Sequence, residues 1–208
     1  MTSEQEPQYA DRRYRPWGAV ASGVILLAIT LWLGGEAVLS GEGRTPLTAA
    51  AALLCAVPLI VAFTLRPAVY AGAERLLVRN PFRTITVPWG AVDAVRARYS
   101  TELLADGQKY QLWALPVSLR ARRSAQRHNA RLAAGETPGK RGLGLLGGPV
   151  QPQSGVRQSP SDEAVSTLQK MAEENAAKTG PVSVRWAYEI IAPAALGALA
   201  ALMLVITG

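Results

Sequence analysis

The sequence predicts a membrane protein of the α+β class, in which three transmembrane helices carry one cytoplasmic antiparallel β-domain. Three apolar runs without a charged side chain predict the helices: 18–35, 46–65 and 190–208. Between the second and third runs, the stretch 66–92 holds short apolar and β-branched segments separated by turn residues, a pattern typical of strands. The chain of 208 residues is 49% hydrophobic and only 18% charged, which favours a membrane class over a soluble one.

The first two apolar runs predict a transmembrane helical hairpin over residues 17–66. Gly18 to Gly35 is long enough to cross the hydrocarbon core, since a helix rises about 1.5 Å per residue. The short polar loop Ser40 to Thr45 then leads into Pro46 to Leu65, where we expect Pro58 to kink the second helix.

The polar N-terminus, residues 1–16, is expected to be disordered and cytoplasmic. It carries Arg12, Arg13 and Arg15 just before the first apolar run. A cleaved signal peptide is the alternative for this region, because Arg12-Arg13 precedes an apolar stretch. The stretch is long and no small-residue cleavage site follows it cleanly, so a membrane span is favoured.

Residues 67–118 predict the β-domain. Asn80-Pro81 and Asp106-Gly107 are turn signals between alternating segments, and Trp89 to Val92 predicts a short helical turn with Trp89 and Val92 facing inward. The six expected strands are Pro67–Gly72, Glu74–Arg79, Arg83–Pro88, Asp93–Tyr99, Thr101–Ala105 and Lys109–Leu115.

The chain after the β-domain predicts a basic, partly disordered insert, a helix and the third span. Residues 119–158 are rich in Arg, Gly and Pro, with a basic helix expected near Ser118–Ala134. Ser159 followed by Pro160 is a helix start, and an apolar face recurs over 159–180 at helical spacing. Val182–Arg185 is a strand or a connector, and the third transmembrane helix covers 186–207.

The distribution of Lys and Arg predicts the orientation. The N-terminus has three of these residues, the loop between the first two helices has one, Arg44, and residues 66–185 hold the remaining 18 of 22. Because cytoplasmic segments carry the excess of positive charge, we expect the N-terminus and the β-domain in the cytoplasm. The loop and the C-terminus then lie outside.

A family resemblance is carried by Leu77-Val78-Arg79-Asn80, by Arg83 through Trp89, by Val92, and by Tyr110 through Pro116. This pattern resembles the bacterial pleckstrin-homology-like (PH-like) domains of actinobacterial membrane proteins, in the group related to the mycobacterial low-molecular-weight antigen domain. The resemblance implies a bent antiparallel β-sandwich or partial barrel capped by a C-terminal helix, here 159–180. It also implies a module that binds proteins, peptides or lipid headgroups.

No chemistry-bearing motif stands out, so we expect no enzyme activity, no cofactor and no metal. The single histidine, His128, reads as a solvated residue of the basic insert. The single cysteine, Cys55, lies in an apolar run and reads as a small packing residue.

The expected partners are the anionic inner leaflet and an unidentified protein. Nucleic acid is not expected, because the basic segment lacks aromatic side chains that stack on bases. The candidates for contact with anionic lipid are Arg75, Arg79, Arg83, Arg120, Arg123, Arg127 and Arg131. A helix would align the last four of these on one face.

Two functions compete at this point. The first is a membrane-anchored cytoplasmic binding module with a scaffolding role. The second is a small transporter or membrane-complex subunit whose helices do the work, motivated by Glu189 together with Pro58 and Pro193. Glu36 and Glu189 border spans, which favours placement at the interface. Trp89 and Trp113 are expected in the core rather than stacked on a ligand.

Overall fold

Two antiparallel sheets form the β-domain in the computed structural model, which describes residues 12–134 and 158–207. Five strands form the larger sheet in the order β1-β2-β3-β4-β8, and three form the smaller one in the order β5-β6-β7. The strands are β1 Arg12–Tyr14, β2 Ala68–Ala71, β3 Arg75–Arg79, β4 Arg83–Pro88, β5 Val92–Ala97, β6 Thr101–Ala105, β7 Gln108–Gln111 and β8 Ser183–Trp186.

Most of the predicted strands are confirmed, with differences at their ends. Arg83–Pro88 and Thr101–Ala105 have the predicted bounds, and a short 3₁₀ turn covers Trp89–Ala91 as expected. The strand predicted as Lys109–Leu115 is shorter, because the chain turns after Gln111 and the Leu115 amide donates to the Leu112 carbonyl.

The larger sheet has a short outer strand at each margin, one in a segment expected to be disordered and one in a segment that the sequence left open. The N-terminal segment was expected to lack structure, yet Arg12–Tyr14 pairs with Val69–Ala71. At the other margin, Val182–Arg185 was either a strand or a connector, and Ser183–Trp186 pairs with Arg83–Thr86 as a strand. Both are short and take their stability from pairing, which explains the weak local signal.

Five helices complete the described chain, and three of them are long and apolar enough to cross a membrane by length and composition. The apolar helices are α1, α2 with its continuation, and α5. Three residues after Pro58 the second of them continues as a π-helical turn over Val61–Leu65, with the Arg66 amide bonded to the Val61 carbonyl. The helices are α1 Trp17–Ser40, α2 Thr45–Ile60, α3 Leu119–Ala133, α4 Pro160–Glu174 and α5 Tyr188–Ile206.

One hydrophobic core joins both sheets to α4. Leu76, Val78 and Ile85 of the larger sheet and Leu103 of the smaller sheet are fully buried, together with Leu168 of α4. Ser159 caps α4, its hydroxyl accepting a hydrogen bond from the Asp162 amide, as the Ser-Pro start predicts. The predicted cap is therefore present and closes on the core through its apolar face.

The three apolar helices lie side by side with α2 in contact with both others. Gly197 of α5 meets the backbone of Leu54 and Cys55, so the two helices approach closely. At one end of the three, Arg44 Nη1 donates to the Thr207 carbonyl over 2.8 Å. At the other end, Arg15 Nη2 donates to the Leu65 carbonyl over 2.6 Å. The loop 41–44 and the last residues of α5 thus share one end, and the β-domain lies at the opposite end.

Candidate functional site

The outer face of the larger sheet carries arginines because its strands alternate. On β3, Leu76 and Val78 point into the core, which leaves Arg75, Leu77 and Arg79 on the opposite face. A strand with one buried face presents its other residues to the surroundings, so the alternation brings two of the predicted lipid-contact arginines to one surface.

Strand pairing brings a further arginine to this face. Arg79 pairs with Thr84, and Thr84 pairs with Arg185 of β8. Residues paired across neighbouring strands lie on the same face about 5 Å apart. The row Arg79-Thr84-Arg185 therefore places a threonine hydroxyl between two guanidinium-bearing side chains.

The row forms part of a groove of about 460 Å³, which we call the junction groove. It lies between the outer face of the larger sheet and the start of α5. Its polar lining consists mainly of Arg66, Arg75, Arg79, Arg185, Thr84 and Glu189.

Arg66, one of the lining residues of this groove, links the sheet to α5. Its Nε donates to the Asn80 carbonyl over 3.1 Å, and its Nη2 donates to Thr84 Oγ1 over 3.2 Å. Its Nη1 lies 3.3 Å from Glu189 Oε1 in an ion pair. The Arg66 side chain is 16% exposed, whereas that of Glu189 is 52% exposed, so the carboxylate is the more accessible partner.

The junction groove lies where the apolar helices meet the β-domain. Arg66 directly follows the π-helical turn that ends at Leu65, and Glu189 is the second residue of α5. Arg185 precedes α5 by only three residues. Two of the four groove arginines, Arg66 and Arg185, therefore lie at the helix ends on the domain side.

The predicted lipid-contact residues divide into three groups in the structure. Arg75 and Arg79 line the junction groove. Arg83 does not join them: it pairs with Trp186, one position out of step with Thr84, and its guanidinium lies 5.8 Å from the centre of the Tyr110 ring. The remaining four lie on α3, away from the groove.

Sequence reasoning passed over Arg66 and Arg185 as site residues. The signal for Arg66 in the sequence is its position directly between the second apolar run and the β-domain. Arg185 gave no signal by itself, because its place depends on β8 pairing with β4.

Helix α3 presents the other four predicted arginines as an exposed stripe. Arg120, Arg123, Arg127 and Arg131 are exposed and share one side of the helix, as their spacing predicts. Arg122 points the other way and attaches α3 to the domain, donating to the Ala97 carbonyl over 2.9 Å and to the Arg98 carbonyl over 3.0 Å.

Arg122 also forms an ion pair with Asp162 in the first turn of α4. Hydrogen bonding from the Arg122 guanidinium lowers the pKa of Asp162, with a further contribution from the Ser159 hydroxyl, which outweigh the opposing effect of desolvation. Arg122 thus fixes the orientation of α3, and the stripe of arginines faces away from α4.

Three further expectations have mixed outcomes. Trp89 is in the core, 1% exposed, and its indole Nε1 donates to the Gly72 carbonyl over 2.8 Å. Trp113 is 45% exposed and packs on Phe63, with ring centres 5.7 Å apart, so its expected core position is wrong. His128 was expected to be solvated and is instead a half-buried residue of α3.

A second groove, of about 420 Å³, lies between β5 and α4. Trp89, Val95 and Ala172 contribute to its lining, and Gln169 Nε2 donates across it to the Val95 carbonyl over 2.8 Å. This hydrogen bond occupies part of the free edge of β5 and so partly closes that edge to an added strand.

Residues 66–141 match the bacterial PH domain family, and the match covers about a third of the chain. The matched segment begins at Arg66 of the junction groove and includes β2 to β7 and α3. PH domains are typically non-catalytic modules that bind lipid headgroups or proteins. Neither a curated protein nor a solved structure matches the chain.

Proposed function

We propose that the bacterial PH domain of this chain is a cytoplasmic binding module held against the inner leaflet of a membrane, where it contacts anionic lipid and does not act as an enzyme. The observation that carries this proposal is the continuity of the larger sheet with all three apolar helices. Strand β1 leads into α1, the π-helical turn that ends α2 leads into β2, and β8 leads into α5, with at most two residues between strand and helix.

Short connections hold the domain close to the plane of the helix ends. Two residues of extended chain reach less than about 10 Å, so the domain cannot move far from a bilayer crossed by these helices. The arginines near that plane then experience the negative potential of the inner leaflet, worth about 1 kcal/mol for each. The excess of Lys and Arg on the domain side supports the cytoplasmic orientation.

The arginine stripe of α3 supplies the surface contact in this proposal. Its four arginines are exposed and share one side of the helix, while Arg122 on the opposite side keeps the helix in place. Scaffolding of an unidentified protein partner on the same module is compatible with the domain type. Kinship with PH-like domains of actinobacterial membrane proteins stays a prediction.

The stripe is tested with the full chain in lipid nanodiscs. Hydrogen exchange of the α3 amides is compared in phosphatidylcholine discs and in discs that also contain phosphatidylglycerol. We expect slower exchange in the anionic discs, since contact with lipid holds the helix in place, and loss of this difference when Arg120, Arg123, Arg127 and Arg131 are all replaced by Gln.

The matched control removes the same charge elsewhere, by replacing Arg96, Arg98, Lys109 and Lys170 with Gln. This control should keep the lipid-dependent protection of α3, and raised salt should reduce it in the unchanged protein. Equal exchange in both kinds of disc, with or without the stripe, would contradict the proposal.

The alternative of a transporter or membrane-complex subunit, with the domain as regulator, rests mainly on Glu189. The ion pair between Glu189 and Arg66 lies at the junction of helix and domain rather than deep among the apolar helices. This position favours an interfacial role for Glu189 over a place in a transport path.

A further inference from the structure

We infer that the junction groove is a binding site for one phosphate group, supplied by the headgroup of an anionic lipid. The inference rests on the proposed membrane contact but names a discrete site that is separate from the α3 stripe. The site consists of Arg66, Arg79 and Arg185 around the hydroxyl of Thr84, with Arg75 farther along the same face.

The charge of the groove is unbalanced. Its lining has four arginines and one glutamate, which leaves a net charge of +3. Among the described residues, the ion pair found for these arginines is that of Arg66 with Glu189. Arg79 contacts the face of the Tyr70 ring at 5.2 Å, which orients its guanidinium without neutralising it. An anion is the ligand that this charge favours.

The donor geometry suits a tetrahedral oxyanion. Guanidinium groups bind phosphate oxygens through paired N–H donors, more directionally than a lysine ammonium does. Arg79 and Arg185 flank Thr84 on adjacent strands and line the groove on its two sides. To share an oxygen above the threonine, the Arg79 guanidinium would turn toward it from the Tyr70 ring of β2. Because Thr84 Oγ1 accepts from Arg66 Nη2, its own O–H is available to donate to the same oxyanion.

The position of the groove identifies the source of the phosphate. Arg66 and Glu189 lie within two residues of the ends of apolar helices, which is the depth at which lipid phosphates lie. A lipid headgroup is therefore present at this site at high local concentration, whereas a soluble phosphate ester must be captured from solution.

The Glu189 carboxylate would compete with a bound phosphate for the Arg66 guanidinium. Its carboxylate holds one nitrogen of Arg66, at 3.3 Å, and is itself half exposed. A phosphate that enters the groove would accept from the same Arg66 nitrogen. The Glu189 carboxylate would then lose this partner and face the lipid headgroups. Removing the Glu189 charge should therefore tighten phosphate binding, while removing a groove arginine should weaken it.

The test uses the purified full chain in a neutral detergent, titrated with dioctanoyl phosphatidic acid or dioctanoyl phosphatidylglycerol and followed by native mass spectrometry. We expect saturable binding of one lipid, with Kd raised about tenfold by Arg79→Gln or by Arg185→Gln. Glu189→Gln should lower Kd, and a misfolded variant cannot imitate that opposite sign. Arg96→Gln, an exposed arginine of β5 outside the groove, should leave Kd unchanged.

A soluble arm uses glycerol 3-phosphate and inorganic phosphate as competitors. Failure of both to displace the lipid supports a headgroup site. Displacement that depends on Arg79 and Arg185 supports the phosphate site and overturns the lipid as its source. Equal Kd values for Arg79→Gln, Arg185→Gln and Arg96→Gln overturn the site.

The two proposals fail separately. If the groove variants bind lipid normally while the α3 amides still respond to anionic discs, the phosphate site is wrong and the membrane contact stands. If exchange of the α3 amides does not change with anionic lipid while the groove variants bind lipid more weakly, the proposed contact of α3 with the membrane is wrong and the phosphate site stands.

Discussion

Asp162 joins two helices through one carboxylate, which makes its protonation a test of how α3 is held. Its folded pKa lies below the ordinary value of 3.8 because Arg122 and Ser159 stabilise the charged form. Its contribution to stability is therefore complete above about pH 4 and is lost as the pH falls through the folded pKa. Asp162→Asn should lower the free energy of unfolding by about 1 kcal/mol at neutral pH.

The measurement is thermal unfolding of the full chain in detergent at a series of pH values. The difference between the unchanged protein and Asp162→Asn should begin to shrink below about pH 4, where the unfolded carboxyl starts to take up a proton. It should vanish only below the lowered folded pKa of Asp162, where the side chain at this position is neutral in both proteins. Glu163→Gln, also in the first turn of α4 but outside the Arg122 ion pair, serves as the control. A difference that does not vary with pH would contradict the role of this carboxylate.

The three arginines at positions 75, 79 and 83 illustrate what the sequence could and could not predict. Their strands were predicted well, since the β-branched run and the Asn80-Pro81 turn are strong local signals. The register between β3 and β4 is a property of the turn and the core, and it pairs Arg79 with Thr84. One step along β4 changes the face, which is why Arg83 lies over Tyr110 instead of in the groove.

Helices α2 and α5 pack through Gly197, and this contact is sensitive to a single methyl group. A Cβ at this position would overlap the backbone of Ala51, Leu54 and Cys55, which cannot move aside as a side chain can. Gly197→Ala should separate the two helices locally and destabilise the protein by about 1–3 kcal/mol.

The same change at Gly35 of α1 is the control, because no atom lies within 4 Å of a Cβ there. Alanine favours the helix by about 1 kcal/mol over glycine, so Gly35→Ala should keep or raise the melting temperature in detergent. A melting temperature for Gly197→Ala equal to that of the unchanged protein would argue against close packing of α2 and α5.

Strands β1 and β8 were the elements least accessible to sequence reasoning. Each has at most four residues, too few for a periodic pattern, and each forms because a neighbouring strand offers unpaired backbone groups. The apolar helices and the capping helix, in contrast, carry long patterns and end signals that are local. The junction groove was missed for this reason, since Arg185 reaches it only through β8.

The arrangement of the whole chain predicts that the loop 41–44 and the β-domain lie on opposite sides of the membrane. In a Cys55→Ala background, Glu42→Cys and Gln108→Cys each provide one thiol. A membrane-impermeant maleimide applied to intact cells should label position 42 and not position 108, which should react only after the membrane is opened. The reverse pattern would invert the orientation, and labelling of both in intact cells would show that the helices do not span.

The two marginal strands of the larger sheet, β1 and β8, continue into helices. Lateral tension in a bilayer would therefore pull on the sheet at these two strands. Peeling would begin on the side of α1, where three residue pairs hold the rim, against four on the side of α5. We therefore expect the two margins to resist such tension unequally, less next to α1 and more next to the arginine-lined groove.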